Sequence, residues 1–375
     1  MAKLYGRTWT KDELRARIGE AGQLAGIERV ELDEGHARGT RAAILRTGGG
    51  LEAEILLDRA MDLGRVNFNG MALAYRGPFG DAHPSHYDAR GMGWLRTFGG
   101  GLLTTCGLQN VGSPCEDEGQ HHGMHGGISA TPAAEVGVKA GWLGDDYALG
   151  ITGKMREATD LGLFGPRLSL SRTIFSELGA NWMRISDVVE NEGFTESALM
   201  LLYHVNVGFP VVDEGARLLT AARSVEPRDE VAQAGLGRED RFEQPVAGYR
   251  EQVFFHNLLS DSAGRATAAI VSPERPSGRV ALALEYSTGT LGRFTEWKMM
   301  GAGAYVVGLE PANCLVMGRA DERKRGTLQT LKPGERKVFE LKISVLTGAD
   351  EIGALEDTLA GLKGKGGTRA KKRKR

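Results

Sequence analysis

Cysteine, proline and long apolar runs are all scarce in this chain. Three cysteines, Cys106, Cys115 and Cys314, stand among 375 residues. An odd and sparse set argues against a disulfide framework and suits a reducing compartment. No window reaches the roughly 18 uninterrupted apolar residues that a membrane-spanning helix needs. Residues 1–17 carry charges throughout and lack the apolar centre of a signal peptide. A dominant charge sign is missing too: 47 Lys and Arg face 48 Asp and Glu, so no global field draws the chain to nucleic acid. Neither a Walker A segment nor a Gly-x-Gly-x-x-Gly between strand and helix is present, which sets nucleotide enzymes aside. These absences predict a soluble, cytoplasmic protein with no membrane partner and no specific nucleic-acid partner.

What the chain does have in quantity is glycine, 54 residues against 12 prolines. The glycines punctuate apolar runs, as many short strands joined by tight turns require. Segment 338–346 alternates cleanly, with Phe339, Leu341, Ile343 and Val345 on one side and Glu340, Lys342 and Ser344 on the other. Segments 54–57, 182–189 and 279–286 also read as strands. The run 199–207 is apolar almost throughout, so both of its faces are expected to be buried. Helices are few. Thr10 with Glu13 has the form of a capping box, opening a helical extension over about 10–25. Near the other end Ile352, Leu355, Leu359 and Leu362 recur at helical spacing. The pattern predicts an all-β fold, a large antiparallel β-sandwich with short peripheral helices, as a single domain over 1–362. Residues 363–375 are basic, glycine-rich and without large apolar side chains, so a disordered tail is expected there.

Three segments carry candidate chemistry. The first, 120–127, holds His121, His122 and His125 among glycines, which places them on a loop rather than a helix. Three histidines, with His83 and His86 upstream, raise the question of a metal. No His-Glu-x-x-His, no Cys-x-x-Cys and no acidic ligand cluster accompanies them, so no metal is expected. In the second segment, 202–210, His204 and Asn206 are two apart on a strand and leave the same face. A lone strand histidine is usually a satisfied core residue, but a His and an Asn together inside an apolar run point to a polar pocket. In the third, 304–313, Glu310 follows an apolar strand and precedes Pro311, which ends ladder pairing. Desolvation there would raise the carboxyl pKa, as suits a general base working near neutrality, although capping a turn is the equal alternative.

Taken in order along the chain, these segments resemble the aldose 1-epimerase family, the galactose mutarotases. Met124-His125-Gly126-Gly127 is similar to that family's Leu-His-Gly-Gly segment, and Tyr203-His204-Val205-Asn206 to its second histidine strand, with the Asn shifted. Glu310-Pro311 resembles its Glu-Pro near the C-terminal end. Arg59-Ala-Met-Asp62, the stretch from Trp94 to Gly101, and Glu296-Trp297 resemble one branch in particular, DUF4432. The resemblance implies a galactose mutarotase-like supersandwich and a chemistry that needs no cofactor. By that resemblance Glu310 takes the proton of the sugar's anomeric hydroxyl while His204 protonates the ring oxygen. His125 would hydrogen-bond the substrate, and Arg96 stands about where the family places a sugar-binding arginine. The family's hydroxyl-binding Asp has no clear equivalent; Glu251 and His256 occupy its interval. His122, Arg59, Asp62 and Trp297-Lys298 imply a sugar other than galactose, with a polar or acidic substituent. Asn206 and Trp297 complete the expected substrate-binding set.

The expected function is thus a mutarotase or epimerase acting on a small-molecule carbohydrate. Two other readings stay open: a sugar lyase or isomerase on the same scaffold, for which a tyrosine such as Tyr203 or Tyr305, or a metal, would carry the step, and a carbohydrate-binding protein without turnover. Cys106 and Cys314 read as small buried residues rather than nucleophiles. The oligomeric state is open, with a homodimer as the arrangement to test.

Overall fold

A computed structural model describes residues 1–159 and 161–372. Antiparallel strands dominate and form an eight-stranded and a twelve-stranded sheet, as the alternation in the sequence predicts. Across the larger sheet the central order is Gln252–Leu258, Arg293–Gly301, Ala304–Ala312, Ser197–Gly208, Leu103–Leu108 and Asp62–Phe68. The smaller sheet contributes Ile151, Leu170, Ile174, Ile185, Leu282 and Leu341 to a core shared with Leu45, Ile55, Leu201 and Val205 of the larger. No described helix is long and apolar enough to cross a membrane.

The strand Ser197–Gly208 is buried at every residue. Leu201, Tyr203, Val205 and Val207 enter the core between the sheets, whereas Met200 and Leu202 join a second cluster with Trp94, Cys106 and Cys314 on the opposite face. Side chains of a strand alternate, so this strand packs on both faces and leaves its even-numbered residues for an outer, loop-covered surface.

Beneath that surface lies a charged cluster that holds the two sheets together. Arg172, on the smaller sheet, pairs with Asp187 at 2.7 Å and with Asp62 at 2.9 Å, and donates to the Thr105 hydroxyl. The Tyr203 hydroxyl donates to the same Asp187 at 2.7 Å. Charges taken from water persist only when paired and hydrogen-bonded in this way. Asp62, expected to bind substrate, therefore points into the sandwich interior.

The helices differ in part from expectation. Thr10 and Glu13 form the anticipated capping box, but the helix is only Lys11–Arg15, followed by a 3-10 turn at Ala21–Gln23. The C-terminal helix Gly348–Lys372 seats Ile352 against Val271 and Ala281. It continues past Lys363, where a disordered tail was expected, in spite of Gly364, Gly366 and Gly367; the cations that follow suit a helix C-terminus. The last three residues of that tail, 373–375, lie outside the described residues.

Candidate active site

Strand register builds the site. Leu202 pairs with Ala312 and Val205 with Leu309, which sets Glu310 directly across from His204. On the outer flanks Thr104 pairs with His204 and Thr295 with Glu310. Thr104, His204, Glu310 and Thr295 thus form one row across four adjacent strands, all on the same face. Pro311 lies inside the strand rather than ending it. The ladder to the His204 strand nonetheless skips from Ala312 to Leu309, next to the residue that has no N–H to give.

His204 Nε2 lies 3.1 Å from Glu310 Oε1, both side chains buried. The contact is not aligned as a hydrogen bond, and Glu310 Oε1, His204 Nδ1 and Asn206 Oδ1 have no hydrogen-bond partner among the described residues. Buried polar atoms left so are expensive unless a ligand or water meets them. Burial lowers the His204 pKa to about 4, partly offset by the Asn206 carboxamide. Burial also drives the Glu310 carboxyl well above the usual range; Glu251 adds to this and Arg228 opposes it. Both shifts favour the uncharged forms of the two groups.

His125 approaches from the loop side, its ring 5.8 Å from that of His204. Its backbone is left-handed, with φ 56°, and is held by N–H donation to Gly112 O and acceptance from Gly107 N–H. Nδ1 accepts the Gly112 N–H at 3.3 Å, which leaves the Nε2–H of the neutral ring free to donate. Burial and the nearby His204 bring its pKa to about 3. Trp94 stacks on Phe98 at 4.7 Å and lies tilted against His125 at 4.6 Å. Phe98 and Trp297 stand 5.5 and 5.4 Å from His204. This aromatic roof leaves His204 5%, His125 5% and Glu310 2% exposed. Outside the roof, between Phe98 and Trp297, lies a chamber of about 280 Å³.

The structure brings His204, Glu310, His125, Asn206 and Trp297 together. Asn206 donates to Gly101 O and His204 O, both at 3.0 Å, and the Trp297 indole donates to Glu251 at 2.7 Å. It does not bring in the other four. Arg96 is exposed and pairs with Asp88 at 3.1 Å. His122 ends the strand Gln120–His122 and lines a separate cavity with Gln109 and Glu157. Arg59 is buried beside Asp62 and Asp81, donating to Ala82 O at 2.9 Å, and Asp62 lies on the far face of the sheet. His256 and Lys298 also turn inward, His256 to Glu296 at 2.9 Å and Lys298 to Glu243 at 2.9 Å.

Several site residues escape the sequence reading. Thr295 could have been found from its spacing to Trp297, two positions on along the same strand. Phe98 lies inside a stretch already singled out, but nothing in the sequence says which way it points. Arg228 carries no signal at all; it bonds Glu251 at 2.9 Å and bears electrostatically on Glu310. Cys106 and Cys314 sit on the site face, and burial pushes both thiols well above their usual range, which makes them poor nucleophiles. Among the described residues no three His, Cys, Asp or Glu side chains converge as metal ligands.

With fold and site in view, comparison with known proteins gives the class first. The chain superposes on a candidate aldose 1-epimerase from Klebsiella pneumoniae with a TM-score of 0.84 and 24% identity, over 92% of this chain and 90% of that one. A galactose mutarotase-like protein from Clostridium acetobutylicum matches with a TM-score of 0.60 and 13% identity, over 87% and 100%. A galactose 1-epimerase from Lactobacillus acidophilus gives 0.55 and 14%, also over 87% and 100%. At these identities the likeness establishes the galactose mutarotase-like fold alone. The family model for the domain of unknown function DUF4432 matches residues 37–345, and the chain belongs to that family. No curated protein matches the sequence.

Proposed function

We propose that this protein is a mutarotase-type isomerase that exchanges the anomers of an aldose or modified sugar by cofactor-free acid–base catalysis. The observation that carries the reading is the buried His204–Glu310 pair, cross-strand neighbours with Nε2 and Oε1 3.1 Å apart. Mutarotation needs one donor and one acceptor at a time, and returns both to their starting state when the ring recloses. As a sugar docks, its anomeric hydroxyl donates to Glu310, which weakens the carboxyl's hold on its own proton and passes it to His204. Glu310 then takes the hydroxyl proton while the bond from the anomeric carbon to the ring oxygen breaks, and His204 protonates that oxygen. Rotation of the aldehyde and reversal of the transfers gives the other anomer. His125 Nε2–H and the free Asn206 Oδ1 supply one donor and one acceptor for sugar hydroxyls. The sugar reaches the pair from the chamber by displacing Phe98. A cytoplasmic location, where three free cysteines stay reduced, belongs to the same proposal.

Anomer exchange by saturation-transfer NMR, on a panel of aldoses, deoxysugars and sugar acids, tests this. Exchange above the spontaneous rate on at least one sugar, reduced about 10²- to 10⁴-fold in Glu310→Gln, is expected. Wild-type protein that accelerates none of them overturns the reading. Binding without exchange would indicate a carbohydrate-binding protein, and release of an unsaturated product a lyase.

A further inference from the structure

The chamber outside the roof has mostly apolar walls. Tyr75, Phe79, Leu95, Phe98, Trp297 and Met299 line it. Phe98 and Trp297 are shared with the catalytic pair, each ring about 5.5 Å or less from that of His204. Those two rings are all that separates the chamber from the proposed reaction centre, so displacing Phe98 would join the two spaces. Glu251, the charged group in its wall, is already engaged by the Trp297 indole at 2.7 Å and by Arg228 at 2.9 Å. The Tyr75 hydroxyl is directed at Gly303 O, at 3.5 Å. At the rim Phe79 and Leu95 remain 62% and 45% exposed, large apolar side chains kept in water at the mouth of a site.

A hydroxyl entering such a space meets only the already engaged Glu251 carboxylate, whereas an apolar group gains burial against most of the wall. The residues that suggested a polar or acidic substituent on sequence grounds are no counterweight: Asp62 faces the sandwich interior, Arg59 is held on Ala82 O, Lys298 on Glu243, and His122 lines another cavity.

Resting on the mutarotase reading, we infer that the substrate is a sugar with an apolar edge, a deoxysugar or one bearing a methyl or short acyl group away from the anomeric carbon. The apolar group occupies the chamber against Met299 and Phe79, and the anomeric carbon lies toward His204 and Glu310. A deoxy carbon in an apolar slot is favoured over a hydroxylated one by roughly ten- to a hundredfold in kcat/KM.

Matched pairs that differ only at C6 test this: D-fucose with D-galactose, 6-deoxy-D-glucose with D-glucose, and L-rhamnose with L-mannose. Exchange NMR on the wild-type protein is expected to give a deoxy-to-parent ratio of about ten or more in at least one pair. Met299→Gln, which places an amide in the wall, is expected to lower that ratio about tenfold or more. Ratios of one or less in every pair overturn the inference while leaving the mutarotase reading intact. If no sugar exchanges at all, Glu310→Gln protein separates the two questions, because it keeps the chamber and lacks the proposed base. Saturation transfer from that variant to the C6 methyl, with the parent sugar failing to compete, supports the apolar slot without turnover. Equal competition by the parent sugar overturns it.

Discussion

Gly308 lies in the shadow of Glu310. A Cβ at position 308 would stand 2.6 Å from Glu310 Oε1 and 3.2 Å from His204 Cε1. The bare backbone there is what lets the carboxyl lean back over its own strand to meet the imidazole. Gly308→Ala is expected to keep the fold, because the tightest contact is the movable Glu310 carboxyl and Trp297 Cβ at 3.1 Å need give only slightly, yet to move the carboxyl by about an ångström. Misplacement on that scale costs on the order of 10²-fold in rate. Circular dichroism with exchange kinetics checks it; an unchanged kcat/KM in the Gly308→Ala variant would show that the pair's spacing does not matter.

The pH profile of kcat/KM should report the titration of this pair. Below about pH 4 His204 gains a proton while Glu310 keeps its own, so no acceptor remains and activity falls. The alkaline limb is set by Glu310, which gives up its proton only well above the ordinary carboxylate range. Glu251 helps hold it there by like-charge repulsion, and Arg228 pulls the other way. Glu251→Gln removes the repulsion and frees Arg228, so the alkaline limb should move to lower pH while the acid limb stays in place. A limb that does not move would mean the proton in question is not on Glu310.

Asp62 offers a test of structural against functional assignment. Asp62→Asn removes one of the two carboxylates around the fully buried Arg172. Losing a partner from a buried pair costs about 3–5 kcal/mol, which should lower the denaturant midpoint with little change in the KM of the folded fraction. Intact stability together with a raised KM would instead return Asp62 to the substrate site.

Much of the fold was legible because strands that are half-buried must alternate and strands buried on both faces cannot. The 199–207 run announced its own burial, and His204 and Asn206 their common face, from spacing alone. Glu310 could be placed near a strand end but not opposite His204, because cross-strand register depends on pairing between segments about a hundred residues apart. Arg96 and Asp62 lie apart from the pair for a different reason. Spacing along a chain does not say whether a loop turns a side chain to solvent, nor which face of a sheet an unrecognised strand presents. Arg228 and Phe98 reach the site only through the folding of covering loops, whose directions no periodicity records.

The Arg172 cluster has a consequence for how the molecule can move. Tyr203 and His204 are consecutive, one tied downward to Asp187 and the other facing the reaction. To slide the large sheet over the small one would mean tearing ion pairs where water cannot replace them. The sandwich is therefore an anvil, and whatever opening and closing the chemistry requires must fall to the thin cover carrying Trp94 and Phe98. Turnover would then keep time with two aromatic rings rather than with the body of the protein.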